Sequence, residues 1–547
     1  MSANDTQILI VGGGPVGLTT ALEFARHGVR CILVNEQADT ALHPKANAIN
    51  ARSMEHFRRY GLAPKIRAAG LPTDYPTDVT YVTRLTGFEM ARLPMPTSAD
   101  AVAQAIDGSS PYDCAEPPHR CNQMYLEAIL LEAAAEQPSV DIRFGHRLEK
   151  FHEVDGGVVA TICDLANDQT YDIRADYLVG ADGGRSRVRR QLEIRYEGEG
   201  GVVRQMMGGA MLATYFRAPR DRAWLQIAPS WQYWIVTPDL RALLVSVDGG
   251  DEFVLLSRIP DGVDASEIDD RELINRAAGA PVDAEIILRQ PWTAGHALVA
   301  QSFGRDRVWL VGDAAHLFTP TGGLGMNTGV DDAVNVAWKL AAMVQGWGGP
   351  RLLPTYETDR RPIGERNLGF AKSFAVSIGT FDVSEAAEQD SADGAAERQK
   401  LGAHLADHGK REFIIPGIVL GVRYEGSPII WSDGTPPTTD DPYDYVPSAR
   451  PGSRAPHMWL RDGSALCDHF EAGFTLLRLS EGTPVDNLIA AAQESGVPVS
   501  VFEPADDAVR ERYAAKLALV GPDGHVVWRG DTLPADCSEL IDRIRGA

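Results

Sequence analysis

Gly12, Gly14 and Gly17 stand in the spacing Gly-x-Gly-x-x-Gly, with Pro15 and Val16 completing the loop. An acid, Glu36, follows about twenty positions on, as a dinucleotide site requires. The first glycine permits a tight turn, the second lets backbone approach a pyrophosphate, and the third lets helix pack on strand. The acid would accept hydrogen bonds from a ribose. A second candidate is Gly312-Asp313, followed by residues 319–329 with four glycines, Pro320 and Asn327. Such a backbone, Gly325 and Met326 included, can come close to a ligand, and it feeds the helix over 330–344, whose first N–H groups are open to something anionic. A third is Asp182-Gly183, between an apolar strand and an arginine-bearing helix, which suits phosphate or ribose. Lys45 stands where it could reach a pyrophosphate, and Arg120 and Gln123 stand at a helix start, a usual place for groups that touch a ligand, here expected to be the cofactor. Spacing alone leaves FAD and NAD undistinguished.

These residues need elements to hold them. Residues 7–11 and 29–34 read as buried strands flanking a helix over 18–27 that Gly28 caps, a βαβ unit. Strands are expected over 140–144, 158–164, 171–179 and 307–311, and helices over 124–136, 330–344 and 352–378. From 190 to 300 the pattern alternates and carries Trp224, Trp231, Tyr233, Trp234, Phe253 and Trp292. That predicts a mostly antiparallel sheet whose aromatics are chiefly core, with one or two facing a cleft for a flat apolar ligand. Residues 73–112, rich in proline, read as an excursion from the core. The acidic stretch 382–400 reads as a linker or mobile loop, 434–451 as a second boundary, and the remainder as a small α/β domain.

The bulk properties exclude some partners. At 547 residues the chain exceeds one ordinary core. A net charge of −23 argues against nucleic acid and anionic membrane. No apolar run approaches the ~20 residues that span a bilayer, and residues 1–7 lack the basic region of a secretory signal. The six cysteines, at 31, 114, 121, 163, 467 and 537, show neither Cys-x-x-Cys nor a zinc spacing, so no metal is expected and a reducing, cytoplasmic setting fits.

With Gly12–Gly17 and Glu36, Asp182-Gly183 and Gly312-Asp313 in this order, the chain resembles the FAD-dependent single-component aromatic hydroxylases of the para-hydroxybenzoate hydroxylase fold, over residues 5 to about 380. The C-terminal runs Tyr445–Leu460 and Leu519–Arg529 look like the thioredoxin-like tail of the phenol hydroxylase and 2,4-dichlorophenol 6-monooxygenase group. The resemblance implies an α/β (α+β) protein: a Rossmann-like FAD-binding domain over 1–75, 113–188 and 295–380, with an inserted, mostly antiparallel substrate-binding sheet over 76–112 and 189–294. A linker and helical region over 381–434 and a thioredoxin-like domain over 435–547 complete it. It implies a homodimeric monooxygenase that takes electrons from NAD(P)H, adds O2 to FAD, and hydroxylates a phenolic ring through a C4a-hydroperoxyflavin. Lys45 matches an arginine near the pyrophosphate, and Gln123 a glutamine that approaches the flavin. Asp313 would hold the ribityl region, and Pro320 with Gly325–Asn327 would shape the place where O2 reacts. NAD(P)H would bind transiently across Asp182–Arg187 and Lys45.

The resemblance leaves the phenol-activating group open. Asn47 falls where phenol hydroxylase carries an aspartate, and an amide takes no proton at neutral pH. Asn47 then only hydrogen-bonds the substrate, or His296, Tyr233, Tyr215 or His119 supplies the base. A phenol that ionises easily, such as a halo- or nitrophenol or a catechol, would need no strong base. The competing readings are Baeyer–Villiger or tailoring oxygenation of a polycyclic natural product on the same fold, and a non-catalytic flavin-binding redox sensor.

Overall fold

The computed structural model describes residues 5–201, 209–378 and 382–547. Residues 1–4, part of the segment read as lacking a secretory signal, lie outside them.

The βαβ unit forms from Thr6–Val11, Pro15–Arg26 and Cys31–Asn35. Both strands are runs of buried aliphatic residues, as parallel strands covered on both faces must be. They belong to an eight-stranded sheet in which Thr6–Val11 lies between Cys31–Asn35 and Gln169–Gly180, parallel to both. Val308–Leu310 pairs on the far side of Gln169–Gly180, and Val140–Phe144 on the far side of Cys31–Asn35. The glycine-loop helix, Gly325–Gln345, packs against Pro15–Arg26. Gly312-Asp313 is thereby brought beside the first glycine loop.

The second sheet has seven strands, in the order Glu285–Ala294, Gly209–Arg217, Glu252–Arg258, Arg241–Ser246, Gln232–Val236, Val79–Val82 and Glu89–Leu93. All its pairs are antiparallel except Val79–Val82 with Gln232–Val236. The excursion expected over 73–112 is corrected here. Val79, Thr80 and Val82 are wholly buried, so the flanking prolines mark the ends of an inner strand.

A second correction concerns 382–400. The last nine residues of that stretch open the helix Ala392–Phe413, whose first turn Ser391 caps by accepting the Gly394 N–H at 3.1 Å. Leu401, Leu405, His408 and Glu412 recur at helical spacing and form its buried face. The acidic exposed face of the first turns hides that periodicity. The C-terminal sheet runs Val499–Phe502, Phe474–Arg478, Leu517–Val520, Val526–Gly530, with only the first pair parallel and helices Asp486–Glu494, Asp507–Tyr513 and Cys537–Ile544 beside it. This is the arrangement of a thioredoxin-like domain.

Candidate active site

The two large sheets meet at a cavity of about 560 Å³. Gly14, Pro15 and Val16 line it from the first loop, Lys45 and Asn47 from the segment before the helix Ala51–Arg59, and Asp313 with 317–327 from the second loop. The antiparallel sheet contributes Trp231, Gln232, Trp234 and Trp292, and the helix Ala392–Phe413 contributes Glu412 and Phe413.

The first loop is shaped as a pyrophosphate cradle. A Cβ on Gly12 would meet the Ala181 carbonyl oxygen at 2.3 Å, and one on Gly17 would meet the Gly12 carbonyl oxygen at 1.9 Å, so both are packing glycines. A Cβ on Gly14 would meet nothing within 4 Å; that glycine keeps open the space through which a ligand approaches. Gly14 caps the helix Pro15–Arg26 without a side-chain hydrogen bond, and Leu324 does the same for Gly325–Gln345. Two uncapped helix N-termini therefore face one cavity and offer partial positive charge to an anionic or electron-rich group. Asn35 Oδ1, which sequence reasoning missed, accepts the Gly13 N–H at 3.0 Å and fixes the loop.

The remaining expected cofactor contacts fall at different distances from this cradle. Asp313 opens into the cavity, its carboxylate takes no hydrogen bond from the described residues, and its enclosure raises its pKa while His316 and Lys45 oppose the rise. A ligand hydroxyl would complete it. Gly183 lines the cavity, and Asp182 lies just behind. One Asp182 oxygen accepts the N–H groups of Arg187 (2.6 Å) and Val188 (3.1 Å); the other is buried without a partner. Glu36 is exposed outside the cavity wall, 3.9 Å from Arg147. Gly312 packs on Val16 behind the wall. Gln123 lines the cavity, with its amide nitrogen held by Glu127 at 2.6 Å. The Asn327 side chain ties the glycine loop to its neighbours, donating to the carbonyl oxygens of Gly323 (2.7 Å) and Ala48 (3.0 Å) and accepting the Asn50 N–H at 2.9 Å. Pro320, Gly325 and Met326 line the cavity beside it. The open cradle, the unpartnered Asp313 carboxylate and the two helix N-termini fit the pyrophosphate, ribityl and flavin portions of FAD.

Four candidates for phenol activation do not reach the cavity. Tyr233 points to the other face of its strand, wholly buried, and its hydroxyl accepts the Ser230 N–H at 2.7 Å. His296 accepts the Gly201 N–H at 3.1 Å outside the wall. Tyr215 donates to Glu252, and His119 is a buried neighbour of Ser98. The catalytic expectation for Tyr233 and His296 is therefore withdrawn: strand register turns the first away, and the second lies beyond the wall. Asn47 does line the cavity, and its amide has no partner among the described residues.

Three further wall residues already have protein partners. Tyr112 is bonded to the Ile415 N–H (3.2 Å), and His43 faces two carbonyl oxygens. Glu412 accepts from Gly322 N–H (3.0 Å) and faces His408 Nε2 at 2.9 Å. No helix among the described residues is long and apolar enough to cross a membrane.

Comparison with known proteins agrees with this geometry. Residues 5–371 match the family described as FAD binding domain, and 448–547 the family described as aromatic-ring hydroxylase, C-terminal. Aklavinone 12-hydroxylase RdmE of Streptomyces purpurascens is 33% identical, over 100% of this chain and 99% of its own. The 2,4-dichlorophenol 6-monooxygenase of Delftia acidovorans is 30% identical, over 96% of this chain and 95% of its own. The solved structure of the rebeccamycin biosynthetic enzyme RebC with reduced flavin superposes with a TM-score of 0.89 at 36% identity, covering 100% of both chains.

Proposed function

Since the chain belongs to the FAD-dependent aromatic-ring hydroxylases, we propose that it is an NAD(P)H-dependent monooxygenase that hydroxylates a phenolic ring. The observation that carries this reading is that one cavity joins the Gly14–Val16 cradle to a wall of three tryptophans, Trp231, Trp234 and Trp292. Bound FAD supplies the electron transfer and oxygen activation that no side chain can provide.

The chain's own residues do the rest. The tryptophans offer broad apolar faces that hold an aromatic ring in one orientation and exclude water from it. The N-terminus of Gly325–Gln345 stabilises negative charge on the group bound against it. Asn47, with its amide free, hydrogen-bonds the phenol oxygen without removing its proton. With Tyr112, His43 and Glu412 engaged by protein groups and Asp313 given to the flavin side, the described residues of the wall leave no free general base beside the tryptophans, which favours a phenol that ionises readily. NAD(P)H reaches the flavin transiently past Lys45 and Gly183. The same reading makes the enzyme a cytoplasmic homodimer, as the family pattern and six unpaired cysteines suggest.

A second reading, oxygenation of a polycyclic natural product, draws on the three-tryptophan wall and on relatives such as aklavinone 12-hydroxylase. One experiment tests both. The purified protein should be yellow and should oxidise NAD(P)H faster when a phenol is added, with product analysis showing a new ring hydroxyl. A lactone would establish Baeyer–Villiger chemistry instead. A yellow protein that consumes neither NAD(P)H nor O2 with any single-ring or polycyclic phenol would overturn the proposal in favour of a redox sensor.

A further inference from the structure

Arg120 stands apart from the other enclosed cations of the chain. Arg52, Arg360, Arg454 and Lys339 are each buried against a carboxylate. Arg189, also buried, is satisfied by the carbonyl oxygens of Gly184 and Ala314. Among the described residues Arg120 has neither kind of partner. Its guanidinium lies 3.8 Å above the centroid of Trp231, and Trp231 in turn meets Phe413 edge-on at 5.8 Å. It lines the main cavity and also a smaller neighbouring cavity of about 240 Å³, forming part of the partition between them with Tyr112 and Phe413.

The other charged groups on the wall do not neutralise it. Glu412 is held by Gly322 and His408, and Asp313 belongs to the flavin side with Lys45 and His316. An enclosed cation without an anion is costly, and stacking on an indole offsets only part of that cost. A planar guanidinium fixed on an aromatic face still presents its N–H edge to a ligand, and that edge matches the two oxygens of a carboxylate or the single oxygen of a phenolate.

Building on the proposed hydroxylase reading, we infer that Arg120 is a substrate-binding residue that takes an anionic oxygen of the aromatic substrate while the ring lies against the tryptophan wall. This assigns Arg120 to the substrate, where the sequence placed it with the cofactor. Burial lowers its pKa only to about 10, so it stays a cation at neutral pH. The anionic oxygen has two possible sources: a carboxylate carried by the substrate, or the ionised phenol itself. In the second case the cation also substitutes for the missing base, because it favours the phenolate.

The test uses the FAD-loaded protein at pH 8 and three probes, read by the change in flavin absorbance on titration. These are 1-hydroxy-2-naphthoate, 4-nitrophenolate and the neutral 1-methoxynaphthalene. The expected result is that at least one anion binds more tightly than the neutral probe and that Arg120→Met removes this preference, by about 10- to 100-fold in Kd. Arg120→Lys should restore part of it. Preference for the naphthoate marks a carboxylate site; preference for the nitrophenolate marks a phenolate site. Arg120→Met should also keep its FAD and melt no lower than the parent, because it removes an uncompensated charge. Equal binding of neutral and anionic probes, binding of none, or a preference that survives Arg120→Met would overturn the inference. NAD(P)H oxidation stimulated by any phenol would leave the hydroxylase reading standing in those cases, and its absence with every phenol would remove that reading separately.

Discussion

Asp523, on the turn before the last strand of the C-terminal sheet, accepts a hydrogen bond from Asn335 Nδ2 at 3.0 Å, in the middle of the glycine-loop helix. The same carboxylate oxygen accepts from the Tyr424 hydroxyl at 3.0 Å, and the Asp523 carbonyl oxygen accepts from Arg52. Nearby, Arg454 pairs with Glu55 in the middle of the helix Ala51–Arg59. The C-terminal domain thus inserts a buried polar wedge behind the FAD cradle. It carries no Cys-x-x-Cys, and its visible role is to brace the helix that begins at the second loop.

Removing this wedge should be felt in the flavin domain. Asp523→Ala leaves Asn335 and the Tyr424 hydroxyl without their buried acceptor, a loss of about 3 kcal/mol. The expected outcome is a single melting transition at lower temperature with faster FAD release, and a milder effect for Asp523→Asn. Two separate transitions, with the flavin-reporting one unmoved, would show that the domains do not brace each other.

The pH dependence of stability should follow the buried histidines. His56 accepts from Arg59 Nη1 at 3.3 Å through Nδ1 and faces Asp331 at 2.9 Å through Nε2, partners that suit the neutral ring protonated on Nε2. Burial, helped by Arg52, lowers its pKa to about 4. Burial likewise brings His119 to about 3 and His457 to about 4. The unfolded chain binds these protons near pH 6.5 and the folded chain does not, so stability is intact above about 6.5 and falls as pH drops toward 4, by up to ~1.4 kcal/mol per pH unit per histidine. Urea midpoints at pH 7.5, 6 and 5 measure this; a flat series would contradict it.

The parts of the site that were legible in the sequence are those built from contiguous residues. Gly12–Gly17 and Gly312-Asp313 each carry their geometry in local spacing, because a turn into a helix N-terminus needs those residue types wherever it occurs. Trp234 and Tyr233 show the limit. They are neighbours on one strand, and only sheet register decides that the first faces the cavity and the second the opposite core. Arg120, Trp231 and Phe413 meet across nearly three hundred positions, a contact that no local pattern encodes. Glu412 was hidden for another reason: its helix begins in an acidic exposed turn that reads as linker.

Asp313 should be required to retain FAD. Its carboxylate has no hydrogen-bond partner among the described residues, so Asp313→Ala removes only a ligand contact, and the apoprotein should fold with an unchanged melting temperature. FAD binding should weaken about 10- to 100-fold, the loss of a charge-assisted hydrogen bond. Fluorescence titration of apoprotein with FAD measures it, and full retention through purification would count against the placement.

Glu412 should control how tightly NAD(P)H oxidation is coupled to hydroxylation. Its carboxylate holds the Gly322 N–H at 3.0 Å and pairs with His408 at 2.9 Å, so it pins the glycine loop from the far end of a 22-residue helix. Glu412→Ala leaves that N–H without its acceptor and takes the carboxylate away from the buried His408, at about 1–3 kcal/mol. The loop that shapes the flavin end of the cavity then loosens and admits water where the reaction needs it excluded. Under the proposed function, FAD content should hold while hydrogen peroxide released per NAD(P)H rises several-fold. Glu412→Gln, which keeps an acceptor for Gly322, should lie close to the parent. An alanine variant as well coupled as the parent would show that the clamp does not govern the loop.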